Sequence, residues 1–328
     1  MNCFVTGATG FVGGRLCQEL RAQGHTVHAL TRATSNCDIV RDCGCSLVEG
    51  SLDSINVFAR HAEGIDVFFH LAAITKALSR QEFIDVNVRG TAKVMAGLTR
   101  GGFRGKFVLL SSLAAAGPAA DEKHPRKESD PEAPVSDYGR SKLGAERVMK
   151  KRLPKDASYT ILRPGAIYGP REHEMLEIFR MMTRTGLAFQ IGPTIHTQMT
   201  HVEDVVDGLL RVATNPATNG MTYNQNDVTP WSFPAIVRLV SEALNKPIRV
   251  VRLPRLFGGP IAGALDLVGK FRGRPISPFG RDKLKEMDAR YWVADASRLE
   301  ADTGWHPRWG LPEGLPQTIE WYRENGWL

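Results

Sequence analysis

Tyr138 and Lys142 stand four residues apart in the segment Ser136-Asp-Tyr-Gly-Arg-Ser-Lys-Leu-Gly-Ala-Glu146. On a helix this spacing puts a phenol and an ammonium on one face. A tyrosine titrates near pH ~10 in water and is a poor acid or base at neutrality. A cation held beside it favours the phenolate and lowers that value, which would let Tyr138 exchange a proton with a substrate. The same spacing also describes a solvated helix face. The chemical reading gains weight from the start of the chain, where a glycine-rich turn, Thr6-Gly-Ala-Thr-Gly-Phe-Val-Gly13, follows an apolar run.

In that turn Gly7 permits a sharp reversal and Gly10 lets the backbone approach a pyrophosphate. Gly13 allows the following helix to pack closely on a sheet. Thr9, Phe11 and Val12 lie where the helix begins, and its free N–H groups and positive dipole end suit phosphates. Strand, turn and helix in this order are expected to bind a dinucleotide. The second strand ends Ala29-Leu30-Thr31-Arg32. A Rossmann domain that selects NAD usually offers Asp or Glu here, whereas an arginine suits the 2′-phosphate of NADP. NADP is therefore the expected cofactor. NAD is the alternative, with Arg32 stacked on adenine without discriminating.

The elements needed to position these groups can be read from periodicity. Strands are expected at Asn2–Thr6, Thr26–Leu30, Ser46–Glu49, Asp66–His70, Lys106–Ser111 and Tyr159–Arg163. Helices are expected at Phe11–Ala22, Gln81–Thr99 and Ser136–Lys151. Alternation of this kind implies parallel strands covered by helices on both faces. The fold class is therefore α/β, a Rossmann doubly wound parallel sheet with a smaller C-terminal α/β substrate-binding region. Residues 1–169 would form the dinucleotide-binding domain. Residues 170–328 would mainly bind substrate, with some segments returning to the sheet. Further helices are expected at Glu172–Thr185, His201–Thr214, Phe233–Leu244, Leu256–Gly269 and Leu311–Glu324. The loop Gly117–Pro134 could be a lid over the substrate or a plain surface loop.

Composition narrows the function classes. The 328 residues are 42% hydrophobic and 23% charged, ordinary for a soluble globular protein. The formal net charge is +7. The basic residues are scattered, with short clusters such as Lys150-Lys151-Arg152 and Arg272-Gly-Arg274, and form no stripe with interleaved aromatics. Nucleic acid is therefore not an expected partner. Anionic small molecules or a membrane surface account for the charge equally well. The five cysteines, Cys3, Cys17, Cys37, Cys43 and Cys45, include no zinc spacing and read as reduced cytosolic thiols, so no metal is expected. The chain starts on an apolar strand, which leaves no room for a leader peptide, and a cytoplasmic location is expected. The apolar stretch 256–271, interrupted by Pro260 and Asp266, is too short to span a bilayer.

Taken in order, the motifs resemble the extended short-chain dehydrogenases/reductases, within the broad epimerase/dehydratase group. They are the TGxxGxxG turn at Thr6–Gly13, His70-Leu-Ala-Ala73, Asn87-Val-Arg-Gly-Thr91, Ser111-Ser112, Tyr138-x-x-x-Lys142 and Arg163-Pro-Gly-Ala-Ile-Tyr-Gly-Pro170. The branch with 3β-hydroxysteroid dehydrogenase-like and dihydroflavonol reductase-like enzymes is the nearest in pattern. The resemblance implies that Ser112, with Ser111 as the fallback, hydrogen-bonds the substrate oxygen. Tyr138 would exchange the proton, and Lys142 would bind the nicotinamide ribose. Leu71, Ala72 and Ala73 would line the cofactor cleft, and Pro164, Gly165 and Ile167 would approach the nicotinamide end. Asn87 would face the site in a structural or proton-relay role. Relatives often carry Gly-Asp-Leu or Gly-Asp-Ile after the third strand. Here Gly50-Ser51-Leu52 puts Ser51 and Leu52 at the adenine. Nucleotide-sugar enzymes often place Asn where this chain has Ala166.

Three functions follow. The leading expectation is interconversion of a secondary alcohol and a ketone on an apolar skeleton, of sterol, triterpenoid, flavonoid or oxoacyl type. The segment 256–271 would then cap the substrate or rest on a membrane, and it reads equally as a core helix of the smaller domain. The alternatives are a nucleotide-sugar epimerase or dehydratase that retains NAD, and a dinucleotide-sensing protein without catalysis. Relatives of this kind often pair as homodimers. His124, His173, His196 and His201 are expected to serve packing or surface roles, and Asp204 the N-terminus of its helix.

Overall fold

Strands β1 (Asn2–Thr6), β2 (Thr26–Thr31), β3 (Ser46–Glu49), β4 (Val67–His70), β5 (Lys106–Leu110) and β6 (Ser158–Pro164) form one sheet with a seventh strand, Met221–Gln225. In the computed structural model, which describes residues 1–273 and 280–328, every pairing in this sheet is parallel. The strand order runs from Met221–Gln225 through β6, β5, β4, β1 and β2 to β3. Arg274, one end of a basic cluster read from the sequence, lies outside the described residues.

Coverage of the sheet by helices on both faces, as the alternation implies, leaves every residue of β4 and β5 buried. On one face Phe4, Phe68 and Phe107 stack across neighbouring strands, with ring centroids 5.0 and 5.3 Å apart. The helices Ile55–His61 and Gly90–Arg100 cover that face, and Phe58, Val94 and Leu98 join its core. On the other face helix α1 (Phe11–Ala22) and the helix Val202–Thr214 pack side by side, with Trp305 closing the cluster. Segments beyond residue 169 therefore contribute both a strand and a covering helix to the sheet.

Two local departures from the periodicity have side-chain causes. The expected helix over 81–99 is three pieces, with a π-helical stretch Ile84–Arg89 between Arg80–Phe83 and Gly90–Arg100. The wide turn carries Asn87 inward, where its amide is used in full. Asp204 does not cap its own helix. Its carboxylate accepts from the backbone N–H groups of Arg308 and Trp309 at 3.1 and 3.0 Å, while His201 accepts from Glu203 N at the helix start. Asp204 thus clasps the C-terminal segment.

The loop Gly117–Pro134 is strapped down. Ala119 and Arg126 donate backbone N–H bonds to Tyr291 and Val293, and the Arg126 guanidinium donates to the Ala116 carbonyl at 2.8 Å. The loop contributes no residue to the main cavity, which favours the surface-loop reading. All five cysteines are free, with Cys43 and Cys45 sulfurs 3.5 Å apart. No helix among the described residues is long and apolar enough to cross a membrane.

Candidate active site

A cavity of about 1100 Å³ opens at the carboxyl ends of the strands, beside the point where the sheet order reverses between β4 and β1. Open α/β sheets bind ligands at this place. Its walls include Gly7, Gly10, Phe11, Val12 and Gly13 from the turn and Leu71, Ala72 and Ala73 after β4. Ser111 and Ser112 after β5, Tyr138 and Lys142 on the helix Asp137–Arg152, and Pro164 to Ile167 complete the expected set.

The turn fits a pyrophosphate by its shape. Gly7 sits at φ +73, and a Cβ there would meet the Ala72 nitrogen at 2.8 Å. A methyl at Gly13 would overlap the Gly7 carbonyl, so this glycine is what lets α1 close on the turn. Gly10 precedes α1 in extended conformation and is exposed, with no side chain to shield the free N–H groups. These residues would hold a dinucleotide, whose nicotinamide would supply the hydride chemistry.

Ser112 leaves β5 in an extended conformation and accepts from Ala114 N at 3.1 Å, which aims its hydroxyl into the cavity. Ser112, and not Ser111, is the serine whose hydroxyl favours the ionised Tyr138 phenol. Ser111 is buried and bonds Glu146 instead. Glu146 is in turn gripped by Arg163 through two bonds of 2.9 and 2.6 Å, and both partners are at most 2% exposed. This buried pair ties the Tyr138 helix to β6. Phe83 lies against the Tyr138 ring, centroids 6.0 Å apart.

The electrostatics differ from the simple pairing expected of Tyr138 and Lys142. Burial pushes the Tyr138 phenol up to about 12, while the bond from Ser112 opposes the rise and the Glu286 charge adds to it. Lys142 is pulled down to about 8 by burial, with Glu146 opposing, and its Nζ donates to the Leu110 carbonyl at 2.8 Å. Desolvation therefore dominates both groups. Nearby His70 is buried between Thr6 and Thr91 at 2.7 and 3.0 Å, and burial lowers it to about 3.

Other expected residues stand outside the cavity lining. Arg32 is exposed at the end of β2. Ser51 N donates to Ser54 Oγ at 3.0 Å, and Asp53 turns away to Lys93 at 2.6 Å. Leu52 packs over Gly90. Thr9 is half-buried in the turn. Asn87 is 2% exposed and works as a brace, accepting from Ile74 N at 2.9 Å and donating to Ile74 O at 3.0 Å and Ser141 Oγ at 2.9 Å. Of the histidines, only His173 lines the cavity, stacked on Trp327 at 4.4 Å. His124 meets Asp121, and His196 meets Glu122.

No periodicity in the sequence marks the helix Arg281–Asp288, which lines the cavity. Asp282 accepts from the N–H groups of Asp137 and Tyr138, and Glu286 accepts from Ser136 Oγ at 2.7 Å. Arg281, Lys283 and Lys285 of this helix, with Lys76 and Arg80 across the gap, put cations on the cavity wall, where Arg281 pairs with Asp266, Lys283 with Glu286, Lys285 with Asp137 and Asp282, and Lys76 with Glu174. Only eight residues long and strongly polar, the helix has no apolar stripe to reveal it.

A profile of the NAD dependent epimerase/dehydratase family matches residues 3–224. A ceramide reductase of Caulobacter vibrioides is 30% identical over 325 residues, 99% of this chain and 95% of the relative. The N-acetyl-alpha-D-glucosaminyl-diphospho-ditrans,octacis-undecaprenol 4-epimerase of Escherichia coli O157:H7 is 26% identical over 98% of this chain and 95% of its own length. Among solved structures, MoeE5 in complex with UDP-glucuronic acid and NAD superposes with a TM-score of 0.80 at 26% identity, covering 99% of this chain and 100% of MoeE5.

These likenesses correct three expectations. MoeE5 holds NAD, and also binds UDP-glucose with NAD in a second structure, which overturns the NADP expectation and the apolar ketone as substrate and partner. The physical reasons are visible in the chain. Arg32 is exposed and absent from the cavity lining, so a strand-end arginine alone does not make a 2′-phosphate site. Leu256, Phe257, Leu267, Val268 and Phe271 are exposed, Ile261 and Leu265 are half-buried outside the cavity lining, and only Asp266 and Gly269 of that helix stand on the cavity wall, next to the charged helix that follows. Fold, glycine turn and profile agree: the chain belongs to the NAD dependent epimerase/dehydratase family, within the extended short-chain dehydrogenases/reductases.

Proposed function

We propose that this protein is an NAD-dependent epimerase or dehydratase of a sugar carried on a diphosphate, of the nucleotide-sugar class. The observation that carries the reading is the joint placement of Ser112, Tyr138 and Lys142 in one cavity with the glycine turn, opposite a wall bearing Arg281, Lys283 and Lys285. Likeness over the whole chain to MoeE5, which binds UDP-sugars and NAD, supports it.

In this reading a dinucleotide held by Gly7, Gly10 and Gly13 would supply hydride transfer at a sugar carbon. Tyr138 accepts the proton of the hydroxyl on that carbon, and Ser112 holds the same oxygen as its charge changes. Lys142, one turn along the helix, would bind the cofactor ribose, and the positive charge that favours the phenolate against burial is that of Lys283. Arg281, Lys283 and Lys285 take the diphosphate, the task for which Ala166 offers no side-chain contact. Residues 1–169 serve the dinucleotide and 170–328 mainly the sugar. A cytoplasmic location fits five unbridged thiols. The finer kinship with the 3β-hydroxysteroid dehydrogenase-like branch rests on motif order alone, and the sugar reading does not depend on it.

The test is to purify the protein, release any nicotinamide by acid, and measure thermal shifts with UDP-glucose and UDP-glucuronic acid. Retained NAD, a shift with a UDP-sugar, and sugar conversion lost in Tyr138→Phe are expected. Freely exchanging cofactor with reduction of ketones bearing no diphosphate, and no shift with either UDP-sugar, would overturn the proposal.

A further inference from the structure

The helix Gly258–Phe271 is turned inside out relative to an ordinary covering helix. Its buried positions are small: Gly258, Ala262 and Gly269. A Cβ at Gly258 would meet Ile191 at 2.9 Å and Leu284 at 3.1 Å, so close packing requires a small residue on that side. The opposite face carries Phe257, Pro260, Ala264, Leu267 and Phe271, spaced three or four residues apart, and all are exposed. Phe271 is 85% exposed, Leu256 81%, Leu267 56%, Phe257 50% and Val268 40%. These five account for all but two of the exposed large hydrophobics among the described residues. Single exposed apolar residues are ordinary, but a contiguous ridge at helical spacing marks a binding surface.

We propose that this outward face docks on an anionic lipid bilayer, with the helix lying in the interface. Lys270 and Arg272 stand exposed at the end of the ridge where headgroup phosphates would lie. Beside them the acids are engaged: Asp288 holds Arg255 through two bonds of 2.7 Å, and Asp266 faces Arg281 on the cavity side. A large apolar face with flanking cations is the pattern of interfacial helices. A second copy of the chain fits less well, because the same ridge, Leu256, Phe257, Pro260, Ala264, Leu267, Val268 and Phe271, carries no acid to meet Lys270 and Arg272, whereas an anionic surface does. The inward side of this helix supplies Asp266 and Gly269 to the cavity, so docking would set the cavity wall against the headgroup layer. The inference is independent of which substrate the cavity takes.

Co-sedimentation with vesicles of phosphatidylcholine alone or mixed with phosphatidylglycerol tests this. The wild-type protein should pellet with the mixed vesicles, and a Leu267→Glu/Phe271→Glu variant should pellet roughly tenfold less. Lys270→Glu/Arg272→Glu should lose the preference for the anionic lipid. Hydrogen exchange on the wild-type protein gives a reading that needs no variant: amides of 256–272 should gain protection on adding mixed vesicles. A wild-type protein that stays in solution with both vesicles, glutamate variants that pellet unchanged, or protection confined to other segments would each overturn the proposal. Protection of 256–272 that rises with protein concentration without lipid would assign the ridge to a second copy and overturn it too.

Discussion

Asp282 holds Tyr138 by its backbone: the carboxylate accepts from Tyr138 N at 3.1 Å and from Asp137 N at 2.7 Å, across 144 residues of chain. The helix that bears the candidate proton-transfer group is thus capped twice, by its own Ser136 and by a charge from the C-terminal region. Replacing Asp282 with Ala should cost about 1 kcal/mol of stability, a fall in Tm of roughly 2 °C for a chain of this size. Because Tyr138 loses its registration, kcat should fall roughly tenfold with NAD affinity held. Asp282→Asn should recover part of both, checked by thermal unfolding and by separate kcat and KM values.

His70 sets an acid limit. Its folded value of about 3 lies below the ordinary 6.5 because the buried ring resists charge. Below pH 6.5 the unfolded chain binds a proton that the folded chain refuses, so stability falls as pH drops toward 3. The slope is about 1.4 kcal/mol per pH unit from this group. Denaturant unfolding at pH 7, 6 and 5 should show that loss, reduced in His70→Asn. The His70 ring proton resonances should stay constant across the same range.

Lys142 acts in the opposite pH range. Its folded value of about 8 lies under the ordinary 10.5, so between these limits the unfolded chain holds the extra proton. Stability contributed at this site rises as pH increases from about 8 to 10.5. Wild type compared with Lys142→Met isolates the effect from other titrating groups. The difference between them should change by on the order of 2 kcal/mol across that window, read from urea midpoints.

Glu146 and Arg163 are a pair whose separation should be costly. Glu146→Gln leaves a guanidinium at 2% exposure with only the longer pair to Glu132 at 3.5 Å as counter-charge and weakens the bond that Ser111 donates. A loss of roughly 3–5 kcal/mol is expected, measured by the shift in denaturant midpoint. Arg163→Met with Glu146→Leu should recover most of it, since replacing both members removes the buried charge.

Arg32 should matter little. Its guanidinium is exposed beyond β2. Arg32→Ala should leave NAD affinity within about threefold, as measured by titration calorimetry, and should not alter the preference of NAD over NADP. A large selective loss of NADP binding would restore the arginine to a selecting role.

Local signals carried much of the architecture. The limits of Asn2–Thr6 and Phe11–Ala22 agree with expectation, because a buried strand, a glycine turn and an amphipathic helix each announce themselves within a few residues. The glycine turn, Ser112, Tyr138 and Lys142 were legible for the same reason and meet in one cavity. Asn87 was legible as a motif member but not as a brace, since its partners Ile74 and Ser141 are remote in sequence. The role given to Arg32 failed because residue type at a strand end says nothing of where the side chain points.

By itself the sequence determined the parallel α/β sheet, the dinucleotide turn and the hydroxyl, phenol and ammonium set, all of which rest on short-range spacing. Only the tertiary structure decided that a short polar helix at 281–288 clamps Tyr138, that Glu146 and Arg163 anchor its helix, and that the ridge from Leu256 to Phe271 faces outward. Those outcomes depend on which distant surfaces meet. A helix pattern records that one face is apolar, while its burial or exposure is set by the neighbour that does or does not cover it.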